Sequence, residues 1–380
     1  MRIERIRLFA LRLPLRHSFE TSSHRKSGIE HVLVEFTAAD GRVGWGEIAS
    51  PSDPFFCAET TDTAWHIAAR YLVPRVLGID WDTPEELEER WAVVRGHEFA
   101  KAGFSGAAWD LFAAQQGGSL AQALGGTRTE VVAGVSLGIE ESLDALLVQV
   151  GRQVEAGYGR VKLKIAPGWD LGPVEAVRAA YPEVSLHVDA NGAYPSTDDS
   201  LAIFRSLDGQ GLTMIEQPFD VRDFLAHQAL QQQIETPVCL DESIVTVSDL
   251  ETMLRLDAGR VLNIKVSRMG GLTQARRAHD LAASAGVPVW CGGMHEFGIG
   301  RAANLAISSL QNFTMPSDVS GSDKYYTRDI VSPPITASGG VVQVPTGLGI
   351  GHEVDAARIE AEAGRVFDSA GSHELAEVLR

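Results

Sequence analysis

The strongest constraint on the fold is a repeat of short apolar runs, each followed by a helical stretch, that begins near residue 130. The runs recur about every 25 residues, and each ends in polar or glycine residues. Parallel strands that are buried on both faces are continuously apolar, and eight such βα units are what a (β/α)8 barrel requires. The eight predicted strands are VVAGVSLG (131–138), RVKLKI (160–165), VSLHVDANG (184–192), LTMIEQP (212–218), PVCLDES (237–243), VLNIKVS (261–267), PVWCGGM (288–294) and NFTMPSDV (312–319).

The segments on either side of this repeat predict a second, smaller unit. Residues 1–125 contain strand-like segments followed by helical ones, which indicates an α+β capping domain. Residues 126–335 form the barrel, and residues 336–380 are expected to fold back onto the capping domain. A doubly wound open sheet is the competing α/β fold, and it fits less well because no G-x-G-x-x-G follows an early strand.

Composition narrows the classes of partner. The net charge of −17 and the pI near 5.1 disfavour nucleic acid and anionic membrane surfaces. The three cysteines are widely spaced and lack a C-x-x-C pattern, so neither a disulfide framework nor a thiolate zinc site is predicted. The charged N-terminal segment has no signal-peptide core, and no run reaches the roughly 18 apolar residues of a membrane span. We therefore expect a cytoplasmic protein whose partners are a small molecule and further copies of itself.

Ionisable residues stand at the ends of five consecutive predicted strands. They are Lys164, Asp189, Glu216, Asp241 and Lys265, separated by 24 to 27 residues. In a barrel these positions share the rim at the carboxyl ends of the strands, where active sites of this fold lie. Taken singly, an Asp at a strand end is more typical of a helix N-cap or a solvated loop, but five successive positions indicate a site.

Three of these residues are carboxylates, and a cluster of carboxylates needs a compensating charge. Two like charges about 4 Å apart repel by about 4 kcal/mol at an effective dielectric constant of about 20. A hard divalent cation with oxygen ligands provides that charge. The absence of Cys and His from the trio Asp189, Glu216 and Asp241 favours Mg²⁺, with Mn²⁺ or another divalent cation as an alternative.

The two lysines flank the carboxylates in strand order, so Lys164 and Lys265 are expected on opposite sides of a bound substrate. An amine near a metal ion can transfer a proton near neutral pH. This set of groups suits removal of the proton α to a substrate carboxylate, with the metal stabilising the resulting enediolate.

The motifs together resemble the enolase superfamily, muconate-lactonizing subgroup. They are K-L-K at 162–164, D-A-N-G at 189–192, I-E-Q-P at 215–218, D-E-S at 241–243 and N-I-K at 263–265. The resemblance implies that Asp189, Glu216 and Asp241 bind Mg²⁺ and that Lys164 and Lys265 are the acid/base pair; lysine-with-magnesium chemistry is typical of that superfamily. It also implies that Lys162 lowers the pKa of Lys164, and that Asn191 and Glu242 support the metal ligands.

Within that subgroup, residues 292–326 resemble the branch that contains o-succinylbenzoate synthases and N-acylamino acid racemases. The resemblance implies syn-dehydration of 2-succinyl-6-hydroxy-2,4-cyclohexadiene-1-carboxylate, a menaquinone-pathway step, with racemisation of N-succinylamino acids as the alternative. Dipeptide epimerase and muconate cycloisomerase are lower-ranked alternatives. The branch often has an aliphatic residue and Thr at the positions of His295 and Phe297, which leaves the substrate open. Candidate substrate contacts are Ser136, Gly293, Met294 and His295.

Two loops of the capping domain, 17–28 and 49–59, are candidate lids because of their Gly, Ser and Pro content. Arg25 or Lys26 could bind a second substrate carboxylate, and Phe55 and Phe56 could contact an apolar ring. Two other classes of function remain open on the residues alone. One is an aldolase that forms a Schiff base on a strand-end lysine, and the other is a metal-dependent binding module without catalysis.

Overall fold

The computed structural model describes residues 1–20 and 25–371, with the side chains of all of these except 17–20 and 25–26. The chain begins with the predicted antiparallel sheet. Alternate residues of its first strand face opposite sides: Ile6 and Leu8 pack in the core of the capping domain, whereas Phe9 and Leu11 face the barrel. The strands are β1 (Ile3–Glu20), β2 (Arg25–Ala38) and β3 (Val43–Ile48).

A long helix, α4 (Glu98–Gln115), packs directly against β3. Glycines make the close approach possible, because a Cβ atom at Gly46 would lie 1.9 Å from the carbonyl oxygen of Gly103. The helices of this unit are α1 (Thr61–Ile67), which continues through a π-helical turn at Ala68–Leu72, α2 (Val73–Val76), α3 (Pro84–Glu89), α4 (Glu98–Gln115) and α5 (Leu120–Leu124).

Seven of the eight predicted barrel strands form one parallel sheet in sequence order. They are β5 (Gly134–Leu137), β6 (Arg160–Lys164), β7 (Leu186–Asp189), β8 (Ile215–Glu216), β9 (Val238–Leu240), β10 (Val261–Ile264) and β11 (Val289–Cys291). A helix follows each strand, as predicted. The helices are α6 (Leu143–Glu155), α7 (Leu171–Ala180), α8 (Asp198–Asp208), α9 (Phe224–Gln231), α10 (Val247–Leu256), α11 (Leu272–Ser284) and α12 (Gly298–Ser308).

The eighth run, residues 312–319, departs from the prediction because it forms no regular strand. It still closes the barrel through isolated parallel bridges, from Phe313 to Val289 on one side and from Ser317 to Ala133 on the other. Pro316 interrupts the run and has no backbone N–H to donate, which limits a continuous ladder. A short 3₁₀ turn, Ser322–Lys324, takes the place of a following helix.

The C-terminal segment contacts both units. Val341–Gln343 pairs antiparallel with a short strand, β4 (Glu130–Val132), that precedes the barrel. Further along, Arg365–Asp368 pairs with β1 and so extends the capping sheet. The elements here are β12 (Val331–Ser332), β13 (Ala337–Ser338), β14 (Val341–Gln343), β15 (Glu353–Val354), α13 (Ala356–Glu362) and β16 (Arg365–Asp368).

The domain boundaries at about 125 and 335 stay predictions. Within the described ranges, no helix has both the length and the hydrophobicity that crossing a bilayer requires.

Candidate active site

The five predicted strand-end residues lie at one end of the barrel. Lys164, Asp189 and Glu216 are the last residues of β6, β7 and β8, and they are matched in register from one strand to the next. Asp241 is the residue after β9, and Lys265 is the residue after β10. Parallel strands present their carboxyl ends at the same edge, so the sequence spacing becomes spatial proximity.

Two of the three carboxylates share one ammonium group. The Nζ of Lys162 lies 3.5 Å from Asp189 Oδ2 and 3.2 Å from Glu216 Oε2. Lys164 Nζ donates to the same Asp189 Oδ2 at 2.5 Å. Both carboxylates are almost completely buried. Asp189 and Glu216 are therefore adjacent acidic groups, drawn together around the Lys162 cation.

Both carboxylate oxygens of Glu216 have further side-chain partners. Asn263 Nδ2 donates to Glu216 Oε1 at 2.9 Å, and His187 Nε2 lies 3.0 Å from Glu216 Oε2. Burial, with the positive charge of Arg160, lowers the pKa of His187 to about 4. His187 is therefore neutral at physiological pH, and Glu216 is an ionised acceptor, because Lys162 and His187 outweigh burial and lower its pKa.

Asp241 is held by two cations that follow β10. Lys265 Nζ donates to Asp241 Oδ2 at 2.8 Å, and the Arg268 guanidinium bonds to Oδ1. Arg268 also donates to the carbonyl oxygens of Ile244 and Asn263. Burial lowers the pKa of Arg268 to about 10, which leaves it charged at neutral pH.

The donor set fits a hard divalent cation in its chemistry. All three residues supply carboxylate oxygen, and Glu242 adds a buried Oε2 that has no hydrogen-bond partner among the described residues. As they stand, no three His, Cys, Asp or Glu side chains within residues 1–20 and 25–371 are grouped closely enough to enclose an ion. The cause is visible in the ion pairs, since each carboxylate is turned toward a lysine.

The lysines differ in their surroundings. Lys162 is buried, which acts to lower its pKa, but Asp318, Glu216 and Asp189 outweigh burial and raise the pKa above its ordinary value. Lys162 therefore keeps its positive charge. Lys164 is the most exposed of the three, with 26% of its side chain accessible, whereas Lys265 has 9% accessible. Lys164 and Lys265 contact different carboxylates, Asp189 and Asp241, on opposite flanks of the group.

Asn191 and Glu242 lie beside Lys164, as the motifs predict. Lys164 Nζ donates to Asn191 Oδ1 at 2.7 Å, and Asn191 Nδ2 donates to Glu242 Oε1 at 2.7 Å. Asn191 takes a left-handed backbone conformation with φ of 45°, which a short amide side chain tolerates. Burial and the charge of Asp189 raise the pKa of Glu242. The chain of contacts orients the Lys164 amine.

The predicted substrate contacts lie around this rim. Ser136 is opposite Lys162 in the β5–β6 register. Gly293 and Met294 follow β11, where the Met294 N–H donates to Glu296 Oε2 at 2.9 Å. His295 has a φ of 61°, and its ring lies 5.2 Å from that of Tyr325.

The structure describes all of the second predicted lid and only part of the first. The second loop, 49–59, places the Phe56 ring 4.9 Å from Lys265 Nζ, whereas Phe55 is 65% exposed. The first loop, 17–28, lies partly outside the described residues, as do the side chains of Arg25 and Lys26.

Sequence reasoning missed four residues of this region: Arg160, His187, Arg268 and Asp318. Asp318 Oδ2 accepts from Lys162 Nζ at 2.9 Å, and Asp318 Oδ1 accepts from Arg160 at 2.8 Å. Side-chain alternation along β6 is the signal that could have identified Arg160, since R-V-K-L-K places it on the face of Lys162 and Lys164.

Comparison with known proteins agrees with this architecture over nearly the whole chain. Residues 4–125 match the mandelate racemase / muconate lactonizing enzyme N-terminal domain, and residues 145–358 match the enolase C-terminal domain-like family. An o-succinylbenzoate synthase from Geobacillus kaustophilus is 45% identical, covering 94% of this chain and 95% of its own. An N-succinylamino acid racemase from Amycolatopsis sp. is 42% identical, and the match covers 92% of this chain and 95% of the racemase.

Solved structures show the same fold. The crystal structure of an enolase superfamily member from Listeria innocua superposes with a TM-score of 0.94 at 36% identity, covering 97% of this chain and 99% of that one. The match extends over the capping sheet, the barrel and the returning C-terminal segment. The chain therefore belongs to the mandelate racemase / muconate lactonizing enzyme family of the enolase superfamily.

Proposed function

We propose that this chain is a Mg²⁺-dependent o-succinylbenzoate synthase. The observation that carries the proposal is the pair of ammonium groups, Lys164 and Lys265, on opposite flanks of three buried carboxylates. Relatives named o-succinylbenzoate synthase and 38–45% identical over more than nine-tenths of the chain support this substrate. The substrate would be 2-succinyl-6-hydroxy-2,4-cyclohexadiene-1-carboxylate.

Asp189, Glu216 and Asp241 would hold the divalent cation, which, when bound, neutralises the substrate carboxylate and makes the α-proton more acidic. Lys164, as the neutral amine, removes that proton and generates an enediolate. The same ammonium then returns a proton to the departing hydroxide, which leaves as water on the same face and restores the neutral amine. Lys265 stays cationic and stabilises the developing negative charge.

The neighbours of Lys164 prepare it for this role. Lys162 and Lys164 contact the same oxygen, Asp189 Oδ2, and Asn191 Oδ1 accepts from Lys164 Nζ, so the direction of the Lys164 amine is fixed. Ser136, Gly293, Met294 and His295 would line the pocket for the rest of the substrate, and Phe56 would cover Lys265. These roles are part of the proposal.

A second activity, racemisation of N-succinylamino acids, is proposed for the same site. Relatives from Amycolatopsis sp. and Thermus thermophilus that carry this name are 42% and 44% identical. In this reaction one lysine removes the α-proton from one face, and the other delivers a proton to the opposite face. Both reactions proceed through an enediolate, so one constellation serves both.

We also propose that the working protein is a cytoplasmic homo-oligomer whose only other partner is its carboxylate substrate. The capping domain would comprise residues 1–125 together with 336–380. Size-exclusion chromatography with light scattering tests the oligomer, since a purely monomeric elution at assay concentrations would contradict it.

The test of function is a direct assay of the purified protein on both substrates. We expect o-succinylbenzoate formation, loss of activity after EDTA treatment, and recovery with Mg²⁺. Lys101→Ala is the matched control for substitution of a site lysine. It changes an ion-paired lysine on α4 and should leave activity intact. Trapping of a borohydride adduct with activity insensitive to EDTA would instead establish a Schiff-base aldolase. Metal binding without α-proton exchange would establish a binding module.

A further inference from the structure

Four buried side chains and one partly buried carboxylate, Asp318, form a closed ring of hydrogen bonds in the barrel, which we call the Asp318 ring. Asp318 Oδ2 accepts from Lys162 Nζ at 2.9 Å, and Lys162 Nζ lies 3.2 Å from Glu216 Oε2. His187 lies 3.0 Å from that same oxygen, and Arg160 Nη1 lies 3.1 Å from His187 Nδ1. Arg160 Nη2 closes the ring on Asp318 Oδ1 at 2.8 Å.

The ring has no net charge when His187 is neutral, because two cations face two carboxylates. It is also confined, since Arg160 and Lys162 both lie over the Trp290 ring, at 4.8 and 4.9 Å. A buried charge that loses its partner is costly, so each member depends on the others. Replacing one member therefore disturbs the positions of its neighbours.

Asp318 brings to this ring a part of the chain that forms no regular strand. The eighth run has only isolated bridges, although the Asp318 N–H donates to the carbonyl of Cys291 at 2.8 Å. The long side chains of Arg160 and Lys162 on β6 reach past β5 to it, and a Cβ atom at Gly134 on β5 would lie 2.3 Å from Arg160 Nη2. Asp318 therefore connects the irregular eighth run to the lysine that stands between Asp189 and Glu216.

The ring also determines which nitrogen of His187 carries the proton. An arginine side chain has only donors, so His187 Nδ1 must accept from Arg160 and cannot carry a hydrogen. The hydrogen is then on Nε2, from which it is donated to Glu216 Oε2. Arg160 is itself held by Asp318 and by the carbonyl of Pro316.

We propose that Asp318 is a positioning residue for the reaction, which acts through Lys162 directly and through Arg160 and His187 on Glu216. The inference rests on the proposed function, because it assigns Asp318 a part in placing the groups that serve proton transfer. Asp318 does not touch the substrate in this account. Its effect is to hold one ammonium and one carboxylate in their working directions.

The test compares the full-length wild type with three single variants. Asp318→Asn removes the negative charge with almost no change in size. Arg160→Lys keeps a positive charge but replaces the fork of donors by one ammonium, which cannot reach Asp318 and His187 in the same geometry. Asp323→Asn, an exposed carboxylate five residues away, is the matched control. Two readouts are compared: kcat and KM, and the His187 tautomer from nitrogen NMR of histidine-labelled protein.

We expect wild-type His187 to be in the Nε2–H form. In Asp318→Asn and Arg160→Lys the Nδ1–H form should become populated, and kcat should fall roughly tenfold to hundredfold. KM should change by less than about threefold, since the groups act on proton transfer rather than on substrate binding. Asp323→Asn should match the wild type in both readouts. A merely structural role would change the melting temperature but not the tautomer.

The proposal is overturned if wild-type His187 carries its hydrogen on Nδ1, or if Asp318→Asn folds and keeps both the wild-type tautomer and kcat. If Asp318→Asn does not fold, Arg160→Lys decides, and an unchanged tautomer with unchanged kcat overturns the inference. If the wild type turns over neither carboxylate, the proposed function has failed. The tautomer measurement needs no turnover, so it still tests whether the Asp318 ring fixes the proton of His187 on Nε2.

Discussion

Glu88 of α3 provides a test of how burial controls the stability of this protein. Its Oε1 accepts hydrogen bonds from Ser105 on α4 at 2.6 Å and from Thr273 on α11 at 2.7 Å. The carboxyl group therefore joins two helices of the capping domain to a helix of the barrel. Burial raises its pKa from 4.5 to about 7, although the two hydroxyl donors act in the opposite direction.

The magnitude follows from the size of that rise. Each unit by which the pKa is raised costs 1.36 kcal/mol once the group is ionised in the folded protein, so the full cost for Glu88 is about 3 kcal/mol. Between pH 4.5 and 7 the folded state binds the proton more tightly than the unfolded state. The free energy of unfolding therefore falls as pH rises through that window, and the loss is complete above pH 7.

The perturbation is Glu88→Gln, which keeps the acceptor oxygen and cannot ionise. Near pH 5 the variant should be within about 1 kcal/mol of the wild type, and at pH 8 it should be more stable by about 3 kcal/mol. Urea unfolding at pH 5, 6, 7 and 8 measures the difference. Burial also raises the pKa of Glu59 and Asp110 to about 7, but their contributions cancel between the two proteins.

The matched control is Glu89→Gln, which changes an exposed carboxylate at the end of the same helix. Its unfolding free energy should follow that of the wild type at every pH. If Glu88→Gln also runs parallel to the wild type from pH 5 to 8, burial of this carboxyl does not carry the pH dependence and the reasoning is refuted.

The remaining predictions concern three glycines and the metal. Gly46→Ala places a Cβ atom 1.9 Å from the carbonyl oxygen of Gly103 and should lower the free energy of unfolding by about 3 kcal/mol in urea titrations. Gly172→Ala on α7 meets nothing within 4 Å and should raise it by about 0.5–1 kcal/mol; equal effects of the two would contradict the packing argument. Gly292→Ala directs a Cβ atom to 2.4 Å from Asn263 Oδ1 and 2.8 Å from Lys265 Cε, so both side chains must shift and kcat should fall roughly tenfold or more; an unchanged kcat would show that these side chains have room to move. Dialysis against EDTA should abolish turnover and Mg²⁺ should restore it, and turnover that survives dialysis would contradict a metal-dependent mechanism.

The strand-end residues could be predicted because two simple rules determine them. Residues alternate along a strand, and parallel strands end at one edge, so Lys164, Asp189 and Glu216 had to meet once the runs were recognised as strands. The same rules placed Asp241 and Lys265 just beyond β9 and β10. Their position in space follows from periodicity and not from any detail of packing.

Other features depend on contacts that no periodicity encodes. The eighth run is apolar enough to suggest a strand, but Pro316 and its bridges to two different neighbours replace a regular ladder. Asp318 reaches Lys162 only because the barrel closes and brings the eighth run near β6. Arg268 lies in a turn, where neither the strand nor the helix period predicts a direction. Such long-range partners become visible only in three dimensions.

The measurement that tests the central claim most directly is exchange of the substrate α-proton with solvent deuterium, followed by NMR in the presence of Mg²⁺. The wild type should incorporate deuterium at the α-carbon of an N-succinylamino acid. Lys164→Ala should lose this exchange for the enantiomer whose α-proton faces Lys164, and should lose o-succinylbenzoate formation, while calorimetry shows that Mg²⁺ still binds. Exchange and turnover at wild-type rates in Lys164→Ala would contradict the assignment of Lys164 as the base.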